Sequence, residues 1–105
     1  MKSVDKNSFD QEVLGSRMPA LVDFWSPQCQ PCQALMPEVE ELERKYGNQV
    51  SFFKVNAAEN RRLAIEQQVM GLPAVVFYSD GKKLGQLSGN IDREQLEQEI
   101  KKLGG

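Results

Sequence analysis

Three short apolar runs constrain the fold of this chain more than any other feature: Ala20–Trp25, Val50–Val55 and Ala74–Tyr78. The first is almost uninterrupted, which is typical of a strand buried on both faces. Only Asp23 places a carboxylate inside it. The third opens with Pro73, which is acceptable at the first position of a strand. We therefore expect a sheet whose central strands are covered on both sides.

Segments with helical spacing separate these runs. From Cys32 to Tyr46 the apolar residues recur at intervals of three and four, which predicts a long amphipathic helix. A shorter helix is expected from Glu59 to about Gln67. Ser8 and Gln11 have the spacing of a capping box, so the first helix is predicted over Ser8 to Leu14.

The end of the chain predicts a hairpin and a last helix. Asp80-Gly81 is a strong turn signal and leads into a polar return strand, Lys83 to Ser88. Leu96, Ile100 and Leu103 form the buried stripe of a terminal helix. With a short edge strand at Ser3-Val4, the order is (β)αβαβαββα. This order predicts an α/β fold, a mixed sheet with helices on both faces, in one domain over residues 1–105.

Composition excludes several kinds of chemistry. The chain has no histidine, so Ser-His and Cys-His nucleophile pairs and imidazole metal ligands are absent. Its two cysteines are too few for a four-ligand zinc site within one chain. A net charge of −2 provides no field for nucleic acid or anionic lipid, and we expect neither as a partner.

The first 17 residues contain charges but no apolar stretch long enough for a signal peptide or a membrane span. We therefore expect a cytoplasmic protein. In that compartment a thiol pair is more often catalytic or metal-binding than a permanent structural bridge.

The cysteines form the motif Cys29-Gln30-Pro31-Cys32 between the first buried strand and the long helix. A thiolate at Cys29 would face unpaired helix amides and the positive end of the helix dipole, which lowers its pKa. Cys32 is close enough to form a small ring with Cys29. Pro31 costs little in the first helical turn and stiffens the loop. The spacing predicts one attacking and one resolving thiol; a zinc pair shared with a second chain is the alternative.

The sequence resembles the thioredoxin family over essentially its whole length. The matching landmarks are Val22-Asp23-Phe24-Trp25, Cys29-x-Pro31-Cys32, Pro37, Lys54-Val55-Asn56, Gly71-Leu72-Pro73, Asp80-Gly81 and Gly89. The resemblance implies the thioredoxin fold and a thiol-disulfide oxidoreductase that reduces protein disulfides, an electron carrier with no cofactor beyond a redox-active Cys29–Cys32 disulfide. Its implied partners are disulfide-containing proteins and a thioredoxin reductase or another dithiol donor, and we expect a monomer.

The resemblance also implies catalytic roles. Cys29 would be the nucleophile and Cys32 the resolving thiol. Asp23 would exchange a proton with Cys32, and desolvation of a carboxyl in an apolar strand independently raises its pKa. Lys54 would be its electrostatic partner. The alternatives from the residues alone are an aspartate that reaches water and a solvated edge lysine.

Other landmarks imply a substrate surface. Pro73 would be a cis-proline facing the cysteines, and Leu72 would offer its backbone to an extended substrate segment. Gly89 would allow close approach, and Trp25 would pack beside the disulfide. Gly89 and Trp25 also have purely structural explanations, because glycine is common at the end of an edge strand and tryptophan is common in a core.

The chain departs from the usual family motif at its contact residues. Gln28 stands where tryptophan is usual and Gln30 where glycine is usual, so both are candidate substrate contacts. Such changes tune thiol pKa and reduction potential. A more oxidising, isomerase-like protein is therefore one alternative function. A binding module of the same fold with incidental cysteines is another.

Overall fold

A computed structural model describes residues 1–104, which form a five-stranded sheet in the order β1-β3-β2-β4-β5. The strands are β1 (Lys2–Ser3), β2 (Ala20–Trp25), β3 (Ser51–Asn56), β4 (Ala74–Ser79) and β5 (Lys82–Ser88). The helices are α1 (Gln30–Tyr46), α2 (Arg61–Glu66) and α3 (Arg93–Gly104), and a π-helical turn spans Asp10–Leu14.

The sheet is mixed, as the sequence predicts. Strand β2 is parallel to β3 and antiparallel to β4, while β1 and β5 are the edges. The central position of β2 explains its apolar run, because Ala20 to Phe24 are all buried. The edge strand predicted at Ser3-Val4 lies one residue earlier, at Lys2–Ser3.

Each face of the sheet has its own apolar core. One core joins Val22 and Phe24 to Phe9 and Leu63, on the side of the π-helical turn and α2. The other joins Leu21 to residues of α1 and α3. Successive residues of a strand point to opposite faces, so Leu21, Asp23 and Trp25 share the face covered by α1. This alternation directs Asp23 toward the helix that carries the cysteines.

The capping of the first helical segment differs from the prediction. The Asp5 carboxylate accepts hydrogen bonds from the amides of Asn7 and Ser8, and Ser8 Oγ accepts one from the Asp5 amide at 3.0 Å. The capping box predicted at Ser8 and Gln11 is therefore wrong, because Ser8 is the second member of an earlier box. Burial of Phe9 and Val13 sets this register.

The predicted hairpin is confirmed. Asp80 and Gly81 have φ values of 55° and 76°, the left-handed conformation that a tight two-residue turn requires. Further along, Phe77 pairs with Gly85 and Tyr78 with Lys83, so Leu84 is an extra residue in β5. This bulge lies at the sheet edge, the place where such irregularities are common.

Candidate active site

The two cysteines lie at the start of α1, just beyond the carboxyl end of β2. Cys29 is the N-cap residue of the helix and Cys32 lies in its first turn. Their Cα atoms are 5.2 Å apart and their sulfur atoms are joined in a disulfide. Cys32 is completely buried, whereas Cys29 is partly exposed. An incoming thiol or disulfide therefore reaches the sulfur of Cys29 first.

The helix terminus provides hydrogen-bond donors to Cys29. Its Sγ accepts a hydrogen bond from the Cys32 amide at 3.2 Å, the bond that an N-cap side chain makes. The first turn of α1 contains no acidic residue and has Pro31 near its start. A negative charge on the Cys29 sulfur is stabilised by this amide and by the helix dipole, so the reactive thiolate is favoured.

Asp23 lies on the face of the sheet that α1 covers. Cys32 begins the stripe of buried residues along α1, and this stripe packs on the face of the sheet to which Asp23 points. The Asp23 side chain is fully buried, and neither of its carboxylate oxygens has a hydrogen-bond partner among residues 1–104. Desolvation raises the pKa of Asp23 to about 7 despite the opposing charge of Lys54. Its carboxyl group therefore exchanges protons near neutral pH.

Lys54 lies directly across the ladder from Asp23. The two residues are register partners in the parallel pair β2 and β3, so their side chains share a face. Lys54 lowers the Asp23 pKa by Coulombic attraction. No ion pair within 4 Å joins them in the described chain. The attraction is weaker than the desolvation that it opposes, so the pKa of Asp23 is raised.

A groove of about 330 Å³ runs beside the first turns of α1. We call it the disulfide groove; it is lined by Pro31, Ala34, Leu35, Glu38, Pro73, Gly89, Asn90 and Ile91. The Leu72–Pro73 peptide bond is cis, as the family resemblance implies. One wall of the groove therefore belongs to α1, and the other to the segments before β4 and after β5.

The backbone beside this groove is open to a visiting chain. The Gly89 amide donates to the Pro73 carbonyl at 3.0 Å, and Gly89 has a φ of 77° with open space where a Cβ would stand. The half-buried Leu72 forms no backbone hydrogen bond within residues 1–104. Its peptide groups can pair with an added extended segment.

The remaining predicted residues are more dispersed. Gln28 and Gln30 are exposed on either side of Cys29. Trp25 is half-buried, and its indole nitrogen has no hydrogen-bond partner in the described part of the chain. It lines a separate cleft of about 370 Å³ with Asp5 and other residues. Its predicted packing against the disulfide stays a prediction.

The sequence reasoning missed most of the disulfide groove. Ala34, Leu35 and Glu38 follow Pro31 at helical spacing, so one face of α1 was available as a signal. Asn90 and Ile91 come from the connection between β5 and α3, for which the sequence gives no such signal.

Two further findings limit the kinds of site present. Within residues 1–104, His, Cys, Asp and Glu form no group of at least three that could hold a metal ion. None of the helices described there has the length and apolar character needed to cross a membrane.

The fold and the site together define a class of protein. A partly exposed sulfur at a helix N-terminus is bonded to a buried sulfur, and a carboxyl group with a pKa of about 7 lies on the same face of the sheet. These are the parts of a thiol-disulfide exchange site on an α/β fold.

Comparison with known proteins gives the family. The thioredoxin family model matches residues 1–102. A thioredoxin of Acetoanaerobium sticklandii is 48% identical over 88 residues, covering 84% of each chain. One of Peptoclostridium acidaminophilum is 43% identical over 100 residues, covering 94% of this chain and 91% of that relative. A solved mutant thioredoxin from Halobacterium salinarum has a TM-score of 0.89 at 28% identity, over 99% of this chain and 90% of that one.

The chain belongs to the thioredoxin family. It has the thioredoxin fold, and Cys29 and Cys32 form a redox-active dithiol-disulfide pair. The protein is a protein-disulfide oxidoreductase. Members of the family require no cofactor beyond this disulfide.

Proposed function

We propose that the protein reduces disulfides in other proteins, with Cys29 as the nucleophile and Cys32 as the resolving thiol. The observation that carries this assignment is the unequal exposure of the pair. Cys29 is partly exposed at the N-terminus of α1, whereas Cys32 is fully buried behind it. A substrate sulfur therefore has access to one of the two.

The reaction has two exchange steps. The Cys29 thiolate attacks one sulfur of a substrate disulfide, the substrate S–S bond breaks, and the departing thiolate takes a proton. The Cys32 thiol then loses its proton and attacks Cys29 in the mixed disulfide, which releases the second substrate thiolate. Two electrons pass to the substrate, and the protein is left with the Cys29–Cys32 disulfide. A dithiol donor reverses this oxidation.

Asp23 accepts the proton of Cys32 in the second step. Its fully buried carboxyl group, with a pKa of about 7, is neither permanently ionised nor permanently protonated at neutral pH. Lys54 holds this pKa below the value that burial alone would give, because its positive charge favours the carboxylate. Lys54 therefore acts on the reaction through the pKa of Asp23 and not by contact with the sulfurs.

The substrate segment lies along the disulfide groove. The unpaired backbone of Leu72 and the open approach at Gly89 support pairing with an extended chain. Pro31 and Pro73 line the groove, and the exposed Gln28 and Gln30 flank the attacked sulfur. Trp25, at the end of β2, supports the same surface.

We propose a biological setting for this activity. The electron source is a thioredoxin reductase or another dithiol donor, and the targets are proteins with accessible disulfides. The protein acts as a monomer of one domain in the cytoplasm, without nucleic acid or membrane as partner. The polar side chains of Gln28 and Gln30 beside the disulfide set its choice of reductase and targets.

Turbidity from the reduction of insulin by dithiothreitol tests the proposal. The wild type should accelerate the reduction, and Cys29→Ser should abolish the acceleration. Cys32→Ser should instead accumulate a mixed disulfide through Cys29, visible by mass spectrometry under non-reducing conditions. Folded wild-type protein that fails to accelerate the reaction, whichever reductant is supplied, would contradict the proposed function. If Cys29→Ser accumulated a mixed disulfide through Cys32 instead, the assignment of the two thiols would be contradicted.

A further inference from the structure

The surroundings of the disulfide are almost free of charge. The chain has no charged residue between Asp23 and Glu38, none from Gln67 to Ser79, and none from Leu84 to Ile91. These segments supply the cysteines, the Leu72–Pro73 bond and both walls of the disulfide groove. A single charge in the groove lining therefore has no opposite charge within these segments to neutralise it.

Glu38 is that charge. It is the one charged residue among the groove lining in the described chain, and it is half-buried there. It takes part in no ion pair within residues 1–104. Arg93 is the cation that interacts with it at longer range, but the guanidinium of Arg93 is bound to Glu41. The Glu38 carboxylate thus remains available to a visiting positive charge.

The position of Glu38 matches the path of a substrate. It lies two turns beyond Pro31 on the same face of α1, about 14 Å along the helix axis from Cys29, the thiol that bonds the substrate. An extended chain advances about 3.3 Å per residue, so this distance corresponds to roughly four residues from the attacked cysteine. Lysine and arginine side chains have flexible stems that extend this reach.

We propose that Glu38 selects protein disulfides with a lysine or arginine roughly three to five residues from the attacked cysteine. This inference rests on the proposed function and adds a substrate class to it. The apolar and backbone lining of the groove accepts many sequences, and the carboxylate distinguishes among them by charge. A cation is attracted, and an acidic residue at the same place is repelled.

Matched disulfide-bonded peptides test this selectivity. They differ only in lysine, glutamine or glutamate at the chosen position, on either side of the cysteine, and kcat/KM is measured for each. The wild type should prefer the lysine peptide over the glutamate peptide by roughly threefold or more, as expected for a partly exposed charge pair. The preference should shrink between about 0.01 M and about 1 M ionic strength.

Two variants and a control assign the effect to Glu38. Glu38→Gln should remove the preference, and Glu38→Lys should reverse it. Glu40→Gln removes the same charge from the same helix, but Glu40 does not line the groove, so the preference should remain. Far-ultraviolet circular dichroism should show that all three variants are folded, and Glu40→Gln should reduce the glutamine peptide at a rate close to that of the wild type.

The outcomes separate the two proposals. Equal preference in the wild type and in Glu38→Lys would overturn the role of Glu38, even though every peptide is reduced. A preference lost equally in Glu40→Gln would assign the effect to net charge and would also overturn it. Failure of the wild type to reduce any peptide would instead contradict the proposed function.

Discussion

Replacement of Asp23 by asparagine should stabilise the protein above neutral pH. The pKa of Asp23 rises from 3.8 to about 7 because burial disfavours the carboxylate. The folded protein therefore holds a proton that the unfolded chain releases between these values. Stability from this group is complete below pH 3.8 and is lost as the pH rises through about 7. At 1.36 kcal/mol per pKa unit, the full loss is about 4 kcal/mol.

The Asp23→Asn variant removes the titration and keeps the shape of the side chain. Urea unfolding of the oxidised protein, followed by circular dichroism from about pH 4 to about pH 9, should show a fall in the free energy of unfolding for the wild type that is absent in the variant. The oxidised form is used because its cysteines do not titrate. Asp10→Asn, on the exposed surface, is the control and should follow the wild-type curve.

Lys54→Met provides the second arm of this experiment. Lys54 lowers the pKa of Asp23, so its removal should move the midpoint of the stability loss to higher pH. Parallel curves for the wild type and Asp23→Asn would refute the assignment of a raised pKa to Asp23. A downward shift in Lys54→Met would refute the proposed sign of its influence.

Three further predictions concern other parts of the molecule. In the reduced protein, iodoacetamide should alkylate Cys29 with a midpoint below the free-thiol value of about 8.5, and Cys32 far more slowly, as peptide mass spectrometry would show; equal rates would contradict the unequal exposure. Gly89→Ala should lower stability by about 1 kcal/mol because of its positive φ, while Gly85→Ala, with open space and no such φ, should not. Leu42→Ala, at a fully buried position, should cost about 2–5 kcal/mol in urea unfolding; a loss below about 1 kcal/mol would contradict the tight packing of α1.

The sequence predicted β2 to the residue, and the reason is physical. In a strand that is buried on both faces nearly every residue is apolar, so the ends of the apolar run mark the ends of the strand. Pro19 and Ser26 flank this run. The capping of the first helical segment was less determined, because two overlapping boxes were available there. Phe9, which follows Ser8, packs against Tyr78 in the core, with ring centroids 5.5 Å apart. Such a contact is not visible in a local pattern.

The candidate site, like the fold, was predictable from the sequence only in part. Helical spacing and the Cys-x-x-Cys motif locate both cysteines, and the apolar run predicts the burial of Asp23. The absence of a close ion pair with Lys54 depends on side-chain geometry across two strands. The far wall of the disulfide groove depends on how Asn90 and Ile91 approach α1. These features arise from tertiary packing, so the periodicity of the sequence does not predict them.

Different residues of the site act on the first exchange step, on the second exchange step and on the choice of substrate. The amide of Cys32 and the helix terminus act on the first step through Cys29, and the buried Asp23 acts on the second through its proton. Glu38 is partly exposed to solvent about 14 Å along α1 from Cys29, where screening weakens its influence on the sulfurs more than its influence on a cation that enters the groove. A change at Glu38 should therefore alter which disulfides are reduced and leave the pH dependence of the chemistry in place. A change at Asp23 should do the reverse.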